Sequence, residues 1–253
     1  MSVSGGPNLS EDGLVLLYDF GNPKSYRSGS STVVNLSNLP ITGTIISSTP
    51  PVTASSQNAG TIIFPPVRSE ITCDALSTYI QSGSFSISSW IKFTTPHTTA
   101  SRNAVIVHIA DNPSNNDMFF SFGASGSDNR LGNGVVGRLT HQMYSTTGWQ
   151  VLTGSREYWS ESIWYNVATV VDTINNKWTL FVNGVPDTTR TLPTRTITVP
   201  SVLARVFGSN RYPFSTSPGI LTGSAGPLVI YNRGLSTGEV LQNFNAQRSR
   251  FGV

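Results

Sequence analysis

The sequence predicts an all-β fold built from two antiparallel sheets and closed by a short C-terminal helix. Three observations carry this. Apolar segments are short, rich in β-branched and aromatic residues, and bounded by Gly, Pro, Asn or Ser, the pattern of strands punctuated by turns. The run Phe85-Ser-Ile-Ser-Ser-Trp-Ile-Lys-Phe93 puts Phe85, Ile87, Ile91 and Phe93 on one face and Ser86, Ser88, Trp90 and Lys92 on the other, and a period of two predicts one buried face. Helical periodicity is missing until the last residues, so strands follow strands as hairpins and not as crossovers.

Taken in order, the remaining predicted strands are Leu14–Asp19, Thr61–Phe64, Ala104–Ala110, Met118–Phe122, Val135–Met143, Ile163–Asp172, Trp178–Val182, Leu203–Phe207 and Leu228–Asn232. Between the first two, Thr42–Gly60 reads as a long surface loop or a weakly paired edge strand. Asp172-Thr-Ile-Asn-Asn176 is a polar turn, and Asn183-Gly184 supplies the two positive-φ positions of a type I′ hairpin turn, so residues 163 to about 190 form a meander. Pro227 lacks a backbone donor, which predicts that the last strand starts beside an unpaired edge. The helix begins at Ser236, where Glu239 three residues on completes a capping box and Leu235 can staple onto Val240; Leu241 and Phe244 fall on its buried side. The chain divides into an arm, residues 1–12, and a single domain, residues 13–253.

Composition narrows the function. Charged residues make up 11% of the chain, whereas 35 Ser and 28 Thr supply about a quarter of it, so the surface is neutral and hydroxyl-rich. With 38% hydrophobic residues and a net charge of +3, the chain has core material enough to exclude disorder and coiled coil. Its cations are scattered, bunching only at Arg248-Ser-Arg250, which argues against a nucleic-acid partner. The longest apolar stretch, Leu14–Tyr18, is far too short to cross a bilayer, and the first residues lack a secretory pattern, so the expectation is a soluble protein made in a cytoplasm, with no membrane partner. The lone Cys73 reads as a small core residue.

Four segments carry a resemblance. Gly13-Leu-Val-Leu-Leu-Tyr-Asp-Phe-Gly-Asn-Pro-Lys-Ser-Tyr26, followed by Val34-Asn-Leu-Ser37, then Phe85–Lys92, then the hairpin Trp164-Tyr-Asn-Val through Leu180-Phe-Val-Asn-Gly184, and finally Val229–Phe244, together resemble laminin-G-like jelly rolls of the concanavalin A-like lectin/glucanase superfamily. The continuation to Arg250-Phe-Gly is similar to a version found in virion proteins of tailed phages of marine and cyanobacterial hosts. The resemblance implies a jelly-roll sandwich, residence in the virion, and other virion proteins or further copies of the chain as partners. The segment Ser121–Trp159 matches nothing distinctive.

Because the superfamily includes glucanases, carboxylate pairs are the first chemistry to seek. Its enzymes hold a tight Glu-x-Asp-x-x-Glu run, and retention needs carboxyl groups about 5–5.5 Å apart. Glu157 and Glu161 are the nearest approach, and on one strand they would stand roughly 13 Å apart, so no catalytic residue and no enzyme is expected. His97, His108 and His141 are dispersed, with His108 expected half-buried in a strand. Gly132–Gly137 spells G-x-G-x-x-G but lacks the strand–turn–helix frame that gives the motif meaning. Related folds hold calcium at the sandwich rim, and hard cations want several oxygens; Asp111, Asn112, Asn115 and Asp117 are the candidate calcium ligands, with no cofactor otherwise required. Trp149, Tyr158, Trp159 and Tyr212 lie beside polar turn residues and are the candidate glycan-stacking platform. The expected function is a non-catalytic phage virion component, a head or tail decoration or fibre, whose lectin-like domain recognises glycans. The alternatives are a cement protein without glycan recognition and a cell-surface carbohydrate-binding module.

Overall fold

Small polar residues between β-branched and aromatic ones give this chain strands that can bury both faces, and the computed structural model shows where each face goes. It describes residues 8–47, 52–54, 61–64, 69–73, 75–80, 83–96, 104–109, 118–123, 137–145, 148–192, 204–209 and 219–253. In chain order these form β1 (Leu14–Tyr18), β2 (Thr32–Val34), β3 (Thr42–Ser47), β4 (Val52–Ala54), β5 (Thr61–Phe64), β6 (Ser69–Cys73), the single turn α1 (Leu76–Tyr79), β7 (Phe85–Phe93), β8 (Ala104–Ile109), β9 (Met118–Phe122), β10 (Leu139–Ser145), β11 (Gly148–Thr153), β12 (Trp164–Asp172), β13 (Lys177–Val182), β14 (Val185–Thr191), β15 (Ala204–Val206), β16 (Gly208–Ser209), β17 (Gly219–Ile220), β18 (Gly223–Tyr231) and the helix α2 (Thr237–Phe251).

The first sheet runs β14-β13-β12-β7-β18-β5-β4, with β1 also paired to β18; the second runs β11-β10-β9-β8-β15-β6-β3-β2. Pairing is antiparallel throughout both. This is the two-sheet sandwich the sequence predicts. Between the sheets lies one core that includes Ile87, Ile91, Phe93, Phe120, Phe122, Leu180, Val206 and Ile230. Cys73 is in it, buried as a small apolar residue. No helix among the described residues is long and apolar enough to cross a membrane.

Several expectations need correction. Over its described part the stretch 42–60 is strand and not loop: β4 is an edge strand of the first sheet, the second of the two forms expected, whereas β3 is paired on both sides, between β2 and β6. Pro227 does not mark an edge: β18 is flanked by β7 on one side and by β5, then β1, on the other. Its register with β7 shifts between Ala225 and Leu228, so the proline falls in a bulge where no ladder donor is needed. Gly226 precedes it because a Cβ there would stand 2.7 Å from Phe251 and 2.8 Å from Trp90.

That close approach reflects how the outer face of the first sheet is covered. The sequence predicts one buried face for residues 85–93, yet Trp90 on the other face is fully buried. It is stacked against Phe251 and Phe244, with ring centres 4.3 and 5.5 Å away, and donates its indole N–H to Gln247 Oε1 at 2.6 Å. Val240, Asn243, Phe244, Gln247 and Phe251 form the buried side of α2. Leu241 does not, being 42% exposed. The Asn183-Gly184 turn has the expected positive φ values of 51° and 75°.

The helix start matches its signature. Ser236 Oγ accepts from the Glu239 N–H at 3.2 Å, and Glu239 Oε2 accepts from the Ser236 N–H at 2.8 Å. Arg233 donates to the Glu239 carboxylate and, chiefly by that hydrogen bond, holds its pKa down to about 2. The arm is tied to the same network: the Ser10 N–H donates to Asn243 Oδ1 at 2.8 Å, Tyr231 O–H to the Ser10 carbonyl at 2.9 Å, and Arg233 pairs with Asp12 at 2.8 Å. Ser236→Ala is expected to cost about 1 kcal/mol and to lower the melting temperature by roughly 2–4 °C, measured by calorimetry.

Candidate functional site

The outward face of the second sheet is assembled by alternation. Along β9, Met118, Phe120 and Phe122 join the core, which turns Phe119 and Ser121 outward; along β10, Leu139, His141 and Met143 point in and Thr140, Gln142 and Tyr144 point out. Strand registers then set Thr72, Arg205, His108, Phe119, Gln142 and Val151 opposite one another, giving a continuous row across β6, β15, β8, β9, β10 and β11.

The row is aromatic at its centre. His108 stacks on Phe119 with ring centres 4.2 Å apart, Phe119 meets Trp149 at 5.9 Å, and Trp149 meets Tyr144 edge-on at 5.5 Å. Val105, Phe119 and Trp149 form an apolar cluster separate from the main core. Polar side chains flank it: Ser121 and Thr140 within hydrogen-bond distance of one another, Gln142, and an ion pair in which Arg205 Nε donates to Glu70 Oε1 at 3.3 Å. His108, Phe119, Gln142, Arg205 and Glu70 are buried, while Trp149 and Tyr144 are half-buried at the hairpin where β11 ends the sheet. Trp149 therefore stands where a ring can be reached from solvent, backed by two further aromatic faces.

Of the other sequence-predicted stacking residues, Tyr158 is 54% exposed but makes no ring contact with Trp149, and Tyr212 lies outside the described residues. Trp159 is a correction. It is fully buried, donates its indole N–H to the Gly137 carbonyl at 2.9 Å, and packs edge-on against Phe122 and Tyr165 at 4.8 and 5.0 Å. With its N–H satisfied and both edges occupied it is a core residue and offers no face to a ligand. Arg156 caps it from outside, 5.3 Å from the ring.

The calcium candidates Asp111, Asn112, Asn115 and Asp117 lie outside the described residues, as do His97 and all of Gly132–Gly137 except its last glycine. Among the described residues no three His, Cys, Asp or Glu side chains come together as a metal-binding group. Glu157 pairs with Arg138, and Glu161 sits in a separate isolated bridge with Phe93. His108, expected half-buried, is fully buried, as is His141. A further concavity of about 900 Å³ lies between the arm, β1, residues 36–39 and the end of α2. Leu14, Leu17, Leu36 and Leu39 line it, with no aromatic ring.

Sequence reasoning missed His108 as a stacked ring, and missed Phe119, Gln142, Arg205 and Glu70 altogether. Met118-Phe-Phe-Ser-Phe122 carries the available signal, because a strand apolar on both parities must have something to pack against on both faces.

Two antiparallel sheets over one core, with an aromatic and polar row on an outer face, define a lectin-type jelly roll. Residues 69–241 match the family model described as concanavalin A-like lectin/glucanases superfamily, in its laminin-G form, and the chain belongs to that family. Among solved structures it is similar to domain 4 of AbnA, an extracellular arabinanase of glycoside hydrolase family 43 from Geobacillus stearothermophilus, solved in complex with arabinotriose (19% identity, 93% of this chain and all of that one, TM-score 0.62). It is also similar to the binding domain of Paraclostridial Mosquitocidal Protein 1 (18%, 93% and 52%, 0.64) and that of Botulinum Neurotoxin DC in complex with SialylT (11%, 93% and 52%, 0.63). At these identities the likeness is one of fold, and the chain spans about half the length of the toxin domains it matches. No curated protein matches it.

Proposed function

We propose that this chain is a non-catalytic recognition domain that binds glycans at the outward face of its second sheet, and that it does so as a structural component of a tailed-phage virion. The observation that carries the first part is the half-buried Trp149 at the end of the ring series His108, Phe119, Trp149 and Tyr144. A ring face takes the apolar face of a sugar, and Trp149, half-buried at the edge of the sheet, is a ring that solvent reaches. The known neighbours that share the fold include a domain solved with arabinotriose. Non-catalysis is supported by the acids themselves, since Glu70 and Glu157 each engage an arginine.

The virion setting rests on the resemblance of the closing segment to phage proteins and on a neutral, hydroxyl-rich surface that lets many copies pack without like-charge repulsion. Other virion chains would be its partners. Exposed Val34 and Ile46 on β2 and β3 favour, as a second reading, a cement protein that makes contacts without sugars.

Screening the chain against glycan arrays and host envelope polysaccharides tests the reading. Binding that free oligosaccharide competes away is expected; no binding to any glycan leaves the cement role. The proposal includes calcium at Asp111–Asp117. Titration calorimetry should give heat with Ca²⁺ and a melting temperature that chelation lowers, whereas no heat and unchanged melting would remove the metal.

A further inference from the structure

Directly behind the aromatic row, β10 turns His141 into the space between the sheets. Its ring is fully buried, with Trp178, Phe85 and Phe120 edge-on at 5.0, 5.7 and 5.9 Å between ring centres. Nδ1 lies 2.8 Å from Trp178 Nε1 and 2.7 Å from Thr169 Oγ1. An indole N–H can only donate, so Nδ1 accepts and the neutral ring carries its proton on Nε2, which has no hydrogen-bond partner. One neutral tautomer thus joins β10 to β12 and β13 across the core.

Protonating Nδ1 would set two N–H donors against each other over 2.8 Å. Thr169 Oγ1 can accept from the new N–H, but Trp178 then loses its 2.8 Å acceptor and keeps only the longer contact to that same hydroxyl at 3.3 Å, with a like donor facing it in an apolar setting. The groups facing the ring are Phe85 of β7, Phe120 of β9, Thr169 of β12 and Trp178 of β13, none of them charged. The charged residues of those strands, Lys92, Asp172 and Lys177, stand at strand ends, half-buried or exposed. Burial accordingly pushes the imidazole down to about 3.

We propose that His141 is an acid-sensitive pin between the sheets, and that its charging frees β10 and disrupts the glycan platform carried on that strand. Tyr144 is on β10, and β11, which bears Trp149, pairs among the described strands with β10 alone, its other tie being Arg190 of β14, which donates to the Val151 carbonyl and to Gln150. The sign follows from the two protonation constants. An opened state binds the proton near the ordinary value of about 6.5 and the closed state near 3. Opening therefore takes up protons, and the closed form loses ground from about pH 6.5 down to pH 3. Between pH 7 and pH 4 the ratio of open to closed rises on the order of 100-fold. Loss of ligand on acidification rests on the glycan reading, whereas the pin does not.

The experiment compares amide hydrogen exchange, corrected for intrinsic rates, at pH 7 and pH 4 in the wild type, His141→Gln and His141→Leu, with histidine ¹⁵N shifts recorded on the wild type. Expected are a neutral Nε2–H tautomer at pH 5 and an acid-induced opening of β10 and β11 at least tenfold greater in the wild type than in either variant. Equal acid-induced opening in all three overturns the pin, and so does a His141 that titrates near pH 6.5 in the closed protein. Should both variants fail to fold, the wild-type shifts decide. Exchange judges the pin and glycan binding at pH 7 judges the reading beside it, so the two fail separately.

Discussion

Trp90→Ala is expected to destabilise the protein by about 3–5 kcal/mol, the usual cost of emptying a large aromatic site, and to lower its melting temperature by roughly 10 °C or more. The indole is stacked against Phe251 and Phe244 and is hydrogen-bonded to Gln247, so its removal strips α2 of its main anchor and exposes the outer face of β7. Part of the loss should be local. Amides of α2 and of residues 8–12, which the helix holds through Asn243 and Gln242, should exchange faster than those of β8 or β15. Trp90→Phe keeps the stacking and gives up the bond to Gln247, and should cost far less. A Trp90→Ala protein that melts within 2–3 °C of the wild type would show that α2 contributes little to the sandwich.

Trp149→Ala is expected to weaken glycan binding by about 30-fold or more, the effect of truncating a central aromatic anchor worth 2 kcal/mol. Melting should move little, because the ring is half-buried at the end of the second sheet and stands outside the main core. Trp159→Ala is the contrasting variant. Its ring is buried against Phe122 and Tyr165, so it should cost several kcal/mol of stability and change affinity only through that loss. Calorimetric titration beside thermal melting separates the two residues.

How far the sequence could be read follows from what each residue type says by itself. Alternation in Phe85–Phe93, the Asn183-Gly184 turn and the Ser236–Glu239 box are local signals, and the structure contains all three. What covers the Trp90 face was hidden, because the covering residues, Phe244 and Phe251, lie more than 150 positions along the chain. Proline at 227 suggested an edge because its missing donor is a local fact, whereas the bulge that accommodates it depends on β7, β5 and β1. In the site, Trp149 was legible as an aromatic residue beside polar turn positions. Trp159 carried the same local signature and is core, since burial of a ring depends on Phe122 and Tyr165 arriving from other strands. The row from Thr72 to Val151 depends on strand order, in which β15 enters between β8 and β6, and nothing near Arg205 in sequence announces its neighbours.

The most direct measurement is to record ¹H–¹⁵N spectra of the five indole N–H groups while a bound oligosaccharide is titrated in. The Trp149 indole should shift progressively with ligand, together with backbone amides of β10 and β11, while the indoles of Trp90, Trp159, Trp164 and Trp178 stay in place. Shifts confined to residues 36–39 and the end of α2, with Trp149 unmoved, would place the ligand in the leucine-lined concavity and contradict a site on the aromatic row.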